Sequence, residues 1–432
     1  MGGTAPTRWP PAVTSVIIVL PKRTLRPFPD TMTLGVKYYS YPDHSGYGLS
    51  ALAYVRGLHN AGVPVWWAPF VFVDGQPAPW RPEDGLAALP LAQRAGDDAG
   101  LEDLPALLAA TGPKPFDTVL AHTLPEHWPL LVEPGKRNIG YTVWETDALP
   151  AHWPPLLNLP DKVLVPCAMN RTMFPAGGVT RPVEVVPHIR RHAWNVVSAV
   201  EGAALRRQLG VADDHFLFYA ISVWDPRKAL ADLVELFSRT FCRDDKVTLV
   251  VKTSTTWYAH SRERRVAATI PEYIRVTQDR IAAETGRAPA PVVVLAADGV
   301  SGRAIDALHA TGDCFVSLTH GEGWGMGAFD AATLGKPVLI ARFGGPADYL
   351  PAGYPGCIDY TMVPVSGWGP EASFQPPQRW AQPDPVDAGR KLRAMVARYG
   401  EFLEPAALAA ERIGNRYAEP VVTRELIAAI DG

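Results

Sequence analysis

LGVKYYSYPDHSGYGLSALAYVRGLHNAGVPVWW, residues 34–67, carries the first indication of the fold. Leu34 to Tyr39 is a short apolar run of the kind a buried strand shows. A glycine loop follows at Ser45-Gly46-Tyr47-Gly48, Leu49 to Asn60 has helical spacing, and Val63-Pro64-Val65-Trp66-Trp67 reads as the next strand. Strand, turn, helix and strand make a βαβ unit, whose handedness rule favours a parallel sheet with helices on its faces. The pattern continues through strands expected at 118–121, 138–143, 162–165 and 183–187. A linker is expected from His188 to Ala199. A second α/β series then starts at Phe216–Ala220 and runs through 247–252, 292–295, 314–318 and 337–341, and the alanine-rich stretch from Pro405 to Ile430 is read as helix. The expected fold class is therefore α/β, with two successive doubly wound domains and a closing C-terminal helix. In such folds ligands sit at the carboxyl ends of the strands, so the cleft between two such domains is the expected site.

Length agrees with that division, since 432 residues suit two domains. Hydrophobic residues make up 47% and charged ones 20%, which excludes a disordered chain. Forty-one basic against 44 acidic side chains give a formal charge of −3, so no basic surplus advertises a nucleic-acid partner. The apolar run Val16–Leu20 is far too short to span a membrane. Arg8 before it suggests a secretory signal, but Pro21-Lys22-Arg23 follows in place of a small-residue cleavage site, so a cytoplasmic protein is expected. Cys167, Cys242, Cys314 and Cys357 lie far apart, without the pairing that zinc or redox chemistry uses, and reduced thiols are expected. The Pro- and Thr-rich residues 1–32 read as an extension around one short strand.

The densest chemistry lies in His320-Gly321-Glu322-Gly323-Trp324-Gly325-Met326-Gly327-Ala328-Phe329-Asp330, which ends in Leu334-Gly335-Lys336-Pro337-Val338. Glycines let the backbone approach a ligand, and a helix starting near Met326 offers free N–H groups, which together make a phosphate cradle. Glu322 and Asp330 flank it. Carboxylates repel phosphate, so their expected targets are hydroxyls, a sugar on one side and a ribose on the other. The alternative is a flexible turn whose acidic helix start suits the macrodipole. A second segment, Tyr219-Ala220-Ile221-Ser222-Val223-Trp224-Asp225-Pro226-Arg227-Lys228-Ala229-Leu230, reads as strand, loop and helix start. Cations there oppose the macrodipole, which weakens the reading of Arg227 and Lys228 as mere solvated residues. Gly46-Tyr47-Gly48-Leu49-Ser50-Ala51 fits a G-x-G-x-x-A fingerprint, yet Val65-Trp66-Trp67-Ala68 supplies no acid where a dinucleotide site needs one. His122 closes one strand and Glu145 the next, both on the expected cleft side, while Trp128, Trp144 and Trp153 suit stacking on a sugar or lipid, or a core.

Glu322, seven residues, then Asp330, continued by Gly335-Lys336-Pro337-Val338, resembles the E-x7-E signature of retaining GT-B glycosyltransferases of the family-4 type (glycosyl transferases group 1), with Asp in place of the second Glu. The Tyr219–Leu230 segment is similar to that family's G-R-L-x-x-x-K-G stretch, with Lys228 on the lysine and Val223 at the arginine position. The resemblance covers about 300 residues from Leu34 onward. It implies two Rossmann-like domains, at 33–192 on the acceptor side and 193–405 on the nucleotide-sugar side, with 406–432 packing back on the first. It also implies Glu322, His122 and Lys228 as catalytic residues. Donor-binding roles fall to Arg227, Gly323, Trp324, Gly325, Met326, Gly327, Asp330, Gly46, Gly48, Leu295 and Gly345, and acceptor-binding roles to Glu145 and Tyr47.

The expected function is transfer of a sugar from a UDP- or GDP-linked donor to an acceptor hydroxyl with retention of configuration. No metal and no cofactor is expected, in keeping with the lack of an Asp-x-Asp pair in a metal-binding loop. Expected partners are the nucleotide sugar and a glycan, lipid-linked or small-molecule acceptor. Neither nucleic acid nor a membrane span is expected, although peripheral membrane association fits. A nucleotide-sugar epimerase of GT-B fold and a non-catalytic sugar-binding module of that fold are the competing readings.

Overall fold

The computed structural model of the protein describes residues 35–73, 76–94, 100–191, 193–258, 262–298, 300–369 and 372–432. The extension expected at residues 1–32, with its short strand, lies outside the described residues.

Seven strands form the first sheet: β1 (Val36–Ser40), β2 (Val65–Val73), β3 (Gln76–Pro79), β4 (Thr118–His122), β5 (Arg137–Tyr141), β6 (Lys162–Val165) and β7 (Val183–Val185). Their order is β3-β2-β1-β4-β5-β6-β7. Every pair is parallel except β2 with β3. In register, Tyr38 lies beside Trp67 on one flank and Leu120 on the other. A parallel sheet is covered on both faces, which is why β4 and β6 are buried throughout rather than alternating.

The second sheet has the order β10-β9-β8-β11-β12-β13, all parallel. Its strands are β8 (Phe216–Ile221), β9 (Val247–Thr253), β10 (Val292–Ala296), β11 (Cys314–Val316), β12 (Val338–Ala341) and β13 (Cys357–Ile358). The helix Leu230–Thr240 lies against it because Leu230, Leu233, Val234 and Phe237 recur at the spacing of one helical face and are all buried. They meet Phe218, Leu249 and Val251 in one core. Both sheets reverse strand order beside their first strand, between β1 and β4 and between β8 and β11. That switch point opens a crevice at the carboxyl ends.

Two features depart from expectation. The stretch read as one helix from Pro405 to Ile430 is two helices, Gly400–Arg416 and Glu419–Asp431. Pro420 sits in the first turn of the second, where its missing N–H costs nothing. The last helix returns to the first sheet's side. Asn60 donates to Glu419 (2.8 Å), the Lys162 ammonium to the Ala429 carbonyl (2.9 Å), and Arg137 to the Asp431 carbonyl (3.0 Å). The second departure is an antiparallel hairpin, β14 (Tyr360–Pro364) with β15 (Arg379–Pro383). The segment joining them reaches the first domain, where Phe374 stacks on Trp144 (4.5 Å, 18°) and Gln378 accepts from the Thr146 hydroxyl (2.9 Å). Asp147 accepts from the Arg379 backbone (2.6 Å) and side chain (2.8 Å).

Candidate active site

The loops after β8 and β11 leave adjacent strands at the second sheet's switch point, so two stretches about 90 residues apart in sequence converge. In the first loop Asp225 accepts the Lys228 N–H (2.8 Å), closing a tight turn. Ala229 follows in the left-handed region (φ +50°), where the resembling family carries glycine, and the helix Leu230–Thr240 begins there. That conformation costs an alanine about 1–2 kcal/mol. It is held because the two loops are bonded together, His320 N–H to the Arg227 carbonyl (2.8 Å) and the Arg227 guanidinium to the Gly321 carbonyl (2.7 Å).

Four charges meet where the loops join. The Lys228 ammonium donates to both Glu322 oxygens at 2.7 Å. Arg227 lies 3.6 Å from Glu322 Oε2 and 3.7 Å from Glu145 Oε1, which comes from the first domain. Burial alone would raise the Glu322 carboxyl; the neighbouring Lys228 and Arg227 outweigh it and hold the group below the usual carboxylate range. Glu145 goes the other way. Burial raises its carboxyl even against Arg227 and Lys228, and Glu322 and Asp225 add to the rise. The Arg227 Nε is buried without a hydrogen-bond partner among the described residues.

The glycine loop is shaped by what presses on it. A Cβ on Gly321 would overlap the Glu145 carbonyl oxygen, and one on Gly323 would overlap the Val143 side chain. Gly325 takes φ +84° at the start of the helix Met326–Thr333, leaving the first-turn amides free of any side-chain cap. Behind the loop, Gly345 donates to the Glu322 carbonyl (2.9 Å) and lies against the Trp324 backbone. Gly321→Ala is therefore expected to lose about 1–3 kcal/mol by displacing a backbone neighbour. Chemical denaturation checks it, and an unchanged midpoint would contradict the contact.

Beside this charge cluster lies a cavity of about 290 Å³. Ile221, Lys252, Ile305, Met326, Gly327 and Asp330 line it from the second domain, His44, Leu49 and Ser50 from the first, and Arg191 from the connecting segment. Asp330 is buried in this wall. Its Oδ1 has no hydrogen-bond partner among the described residues, and its Oδ2 is 4.0 Å from Arg191. Burial pushes the Asp330 carboxyl up to about 7, Arg191 opposes the shift and Asp306 adds to it. Asp330 lines the cavity while its Oδ1, itself closed off from solvent, lacks a donor, so the carboxyl has acceptor capacity that a ligand hydroxyl could use.

Several expected site residues sit differently. His122 does lie at the carboxyl end of β4, but its ring is buried in the first domain. Nδ1 is 2.8 Å from the Tyr38 hydroxyl, Nε2 is 3.4 Å from the Ser50 hydroxyl, and Tyr141 packs on the ring (4.2 Å). Burial, with His188 nearby, holds it well below the usual histidine range, hence neutral. His122 thus sits inside the first domain's core, with Tyr38 on one ring nitrogen and Ser50, which itself lines the cavity, near the other. Gly46 and Gly48 are not loop residues, since the helix Gly46–Asn60 starts earlier than expected, capped by Ser45. Gly46 is exposed across from Met326, whereas Gly48 is buried against the Asp43 backbone and is a packing residue.

Trp324 is buried among Phe329, Tyr349 and Tyr417 and does not line the cavity. Leu295 does not line the cavity; Val300, Gly302 and Ile305, just beyond that strand, do. The Tyr47 hydroxyl is engaged by Thr142 (2.9 Å). Sequence reasoning misses Arg191, which holds Asp306 (2.7 Å) and approaches Asp330. Paired arginines at 190 and 191 in a linker are its one signal. Nothing in the periodicity marks the hairpin that brings Phe374 beneath Arg227, whose guanidinium lies 5.7 Å from the ring.

No family model matches the chain, and no curated protein does. Solved structures do. HepE of Anabaena, in complex with UDP and glucose, superposes with a TM-score of 0.58 at 14% identity over 92% of this chain and 100% of that one. Sucrose-phosphate synthase of Thermosynechococcus elongatus gives 0.56 at 13% identity, over 92% and 100%. The E. coli trehalose-6-phosphate protein bound with UDP-2-fluoro glucose gives 0.57 at 12% identity, over 91% and 98%. Likeness at such identity speaks to architecture, and with the two sheets of seven and six strands, parallel throughout but for the edge strand β3, it shows that this chain has the GT-B fold, two Rossmann-like domains.

Proposed function

We propose that the protein is a glycosyltransferase that moves a sugar from a nucleotide diphosphate donor to an acceptor hydroxyl, with retention of configuration and without a metal ion. The observation that carries this reading is the pairing of Lys228 with Glu322, backed by Arg227, at one end of the glycine loop, whose helix Met326–Thr333 then brings the carboxyl of Asp330, with its unpartnered oxygen, to the wall of the cavity. A sugar nucleotide needs three kinds of contact, and the site has groups suited to each. Asp330 suits the ribose hydroxyls, with the base in the apolar part of the cavity near Ile305. Lys228, Arg227 and the free amides at Met326 and Gly327 suit the diphosphate, because cations and helix starts both favour phosphate oxygens. Glu322 suits the hydroxyls of the transferred sugar.

As the glycosidic bond breaks, negative charge grows on the departing β-phosphate. A cation fixed beside it stabilises that state more than the starting one. In the proposed front-face displacement the same phosphate oxygen takes the acceptor's proton, so no separate base is required. UDP-linked donors are the first to test, since UDP, UDP-glucose or a UDP-sugar analogue occupies the similar structures.

A thermal-shift panel of nucleosides, nucleoside diphosphates and sugar nucleotides tests the reading, because a ligand of the native state raises its melting point. Lys228→Ala is expected to weaken a nucleoside diphosphate by about tenfold or more while leaving the nucleoside within about twofold, as loss of one charge-assisted contact requires. Equal losses would remove Lys228 from the phosphate. Turnover of donor without any acceptor to a second nucleotide sugar would instead mark an epimerase.

A further inference from the structure

Glu145 closes the cation pair from the opposite domain. As the site stands, the ion pairs set Arg227 and Lys228 against Glu322 and Glu145, two charges against two even before Asp225, which also lies near Arg227 and Glu145, is counted. On the reading proposed above, a sugar nucleotide brings a diphosphate diester with two negative charges to the same cations. Four negative charges then face two positive ones in a place where little water remains to screen them, so one carboxylate has to leave or be neutralised.

Withdrawal of the segment that carries Glu145 is obstructed. The Glu145 carbonyl lies against Gly321 and Val143 lies against Gly323. Trp144 is stacked under Phe374, and Thr146 is bonded to Gln378. The segment is thus fixed on both sides of the glutamate. Between the two acids the choice is clear from their contacts. Glu322 has both oxygens 2.7 Å from Lys228, while Glu145 has one longer contact, 3.7 Å, to an arginine that the diphosphate would engage.

We infer that Glu145 takes up a proton when the donor's diphosphate binds, so that donor binding and proton binding are coupled at the domain interface. The charged and titratable groups around Glu145 are Arg227, Lys228 and Asp225 from the loop after β8, Glu322 from the loop after β11, Tyr47 from the helix Gly46–Asn60, and Cys167. Only the two cations favour its charged form, and the donor occupies both. Burial already holds the Glu145 carboxyl above the usual range. A neutral carboxyl beside the diphosphate also becomes a hydrogen-bond donor rather than a repelling charge.

Calorimetry of UDP-glucose and GDP-glucose binding to the full chain tests this. These diesters do not titrate near neutrality, so buffer-dependent enthalpies count protons taken by the protein. Wild type is expected to take up about one proton more per donor bound at pH 7 than Glu145→Gln, and the wild-type to variant Kd ratio to rise toward tenfold per pH unit between pH 7 and 8. Asp330 titrates in both proteins and cancels in that ratio. Equal proton counts would overturn the inference while leaving the donor reading intact. Failure of both donors to bind wild type would overturn the donor reading and the coupling with it. Should Glu145→Gln not fold, Asp330→Asn at raised donor concentration carries the test: uptake of about one proton must persist there, and none would refute the coupling.

Discussion

Glu322→Gln is expected to lower kcat/KM for sugar transfer by about 10²–10³-fold while the protein still folds. Glutamine keeps the size of the side chain and one acceptor oxygen but loses the charge. Two consequences follow from the geometry. Lys228 loses the partner that binds it through both oxygens at 2.7 Å, and Arg227 loses one of its two nearby carboxylates. Leaving buried cations less compensated destabilises the fold, by about 1–3 kcal/mol for a charged hydrogen bond. Diphosphate affinity then holds or improves, because the freed ammonium no longer divides its contacts. Turnover measured beside the melting temperature separates the effects. Full transfer activity in a folded variant would remove Glu322 from the chemistry and the proposed function with it.

Asp330→Asn is expected to move stability and binding in opposite directions. In the folded protein the carboxyl titrates at about 7, against 3.8 for an aspartate free in water. Between those values the folded protein keeps a proton that the unfolded chain has released. Stability therefore falls as pH rises from about 4 to 7, and the whole loss is present above 7. Asparagine has no such proton to lose. The variant should melt several degrees higher than wild type at pH 8, where the difference amounts to a few kcal/mol at about 1.4 kcal/mol per pH unit, and at the same temperature near pH 4. Sugar-nucleotide affinity should drop about tenfold to a hundredfold at pH 8, the worth of a hydrogen bond to a charged acceptor. A gain in melting temperature equal at both pH values would show that the aspartate's burial is not its cause. A gain accompanied by undiminished affinity would take Asp330 out of the donor site.

Much of the architecture is legible from local pattern. The strands from β1 to β12, apart from β3, are readable because parallel strands buried on both faces appear as short continuous apolar runs, such as Lys162–Val165 and Val247–Thr253. The short edges are harder to read. β3, Gln76-Pro77-Ala78-Pro79, has a proline at every second position and no apolar run, and β13 is only two residues. The hairpin β14–β15 holds Tyr360 and Thr361 exposed and draws its order from a partner strand along the chain rather than from its own sequence. The helix break at Tyr417–Ala418 is hidden by alanine content on both sides of it.

At the candidate site the sequence points to Glu322, Asp330, Arg227 and Lys228, because carboxylates and cations set among glycines between a strand and a helix have few other uses. Side-chain direction is beyond its reach. His122 sits at the strand end where it is expected, yet Tyr38 and Ser50 claim its nitrogens from two other elements. The same applies to Trp324, drawn into a cluster with Tyr349 and Tyr417 by residues that lie far along the chain.

The chain's own order of residues therefore determined the two βαβ series, the two glycine-flanked loops and the types of group they carry, since each of these is a matter of neighbours within about a dozen positions. Tertiary structure alone decided which charges face one another. Glu145 meets Arg227, and Arg191 meets Asp306 and approaches Asp330, only because separate strands and segments end at one crevice. The surroundings of each carboxyl then set its proton affinity, with nearby cations lowering Glu322 and burial raising Asp330, by an amount that depends on what lies around each group in space.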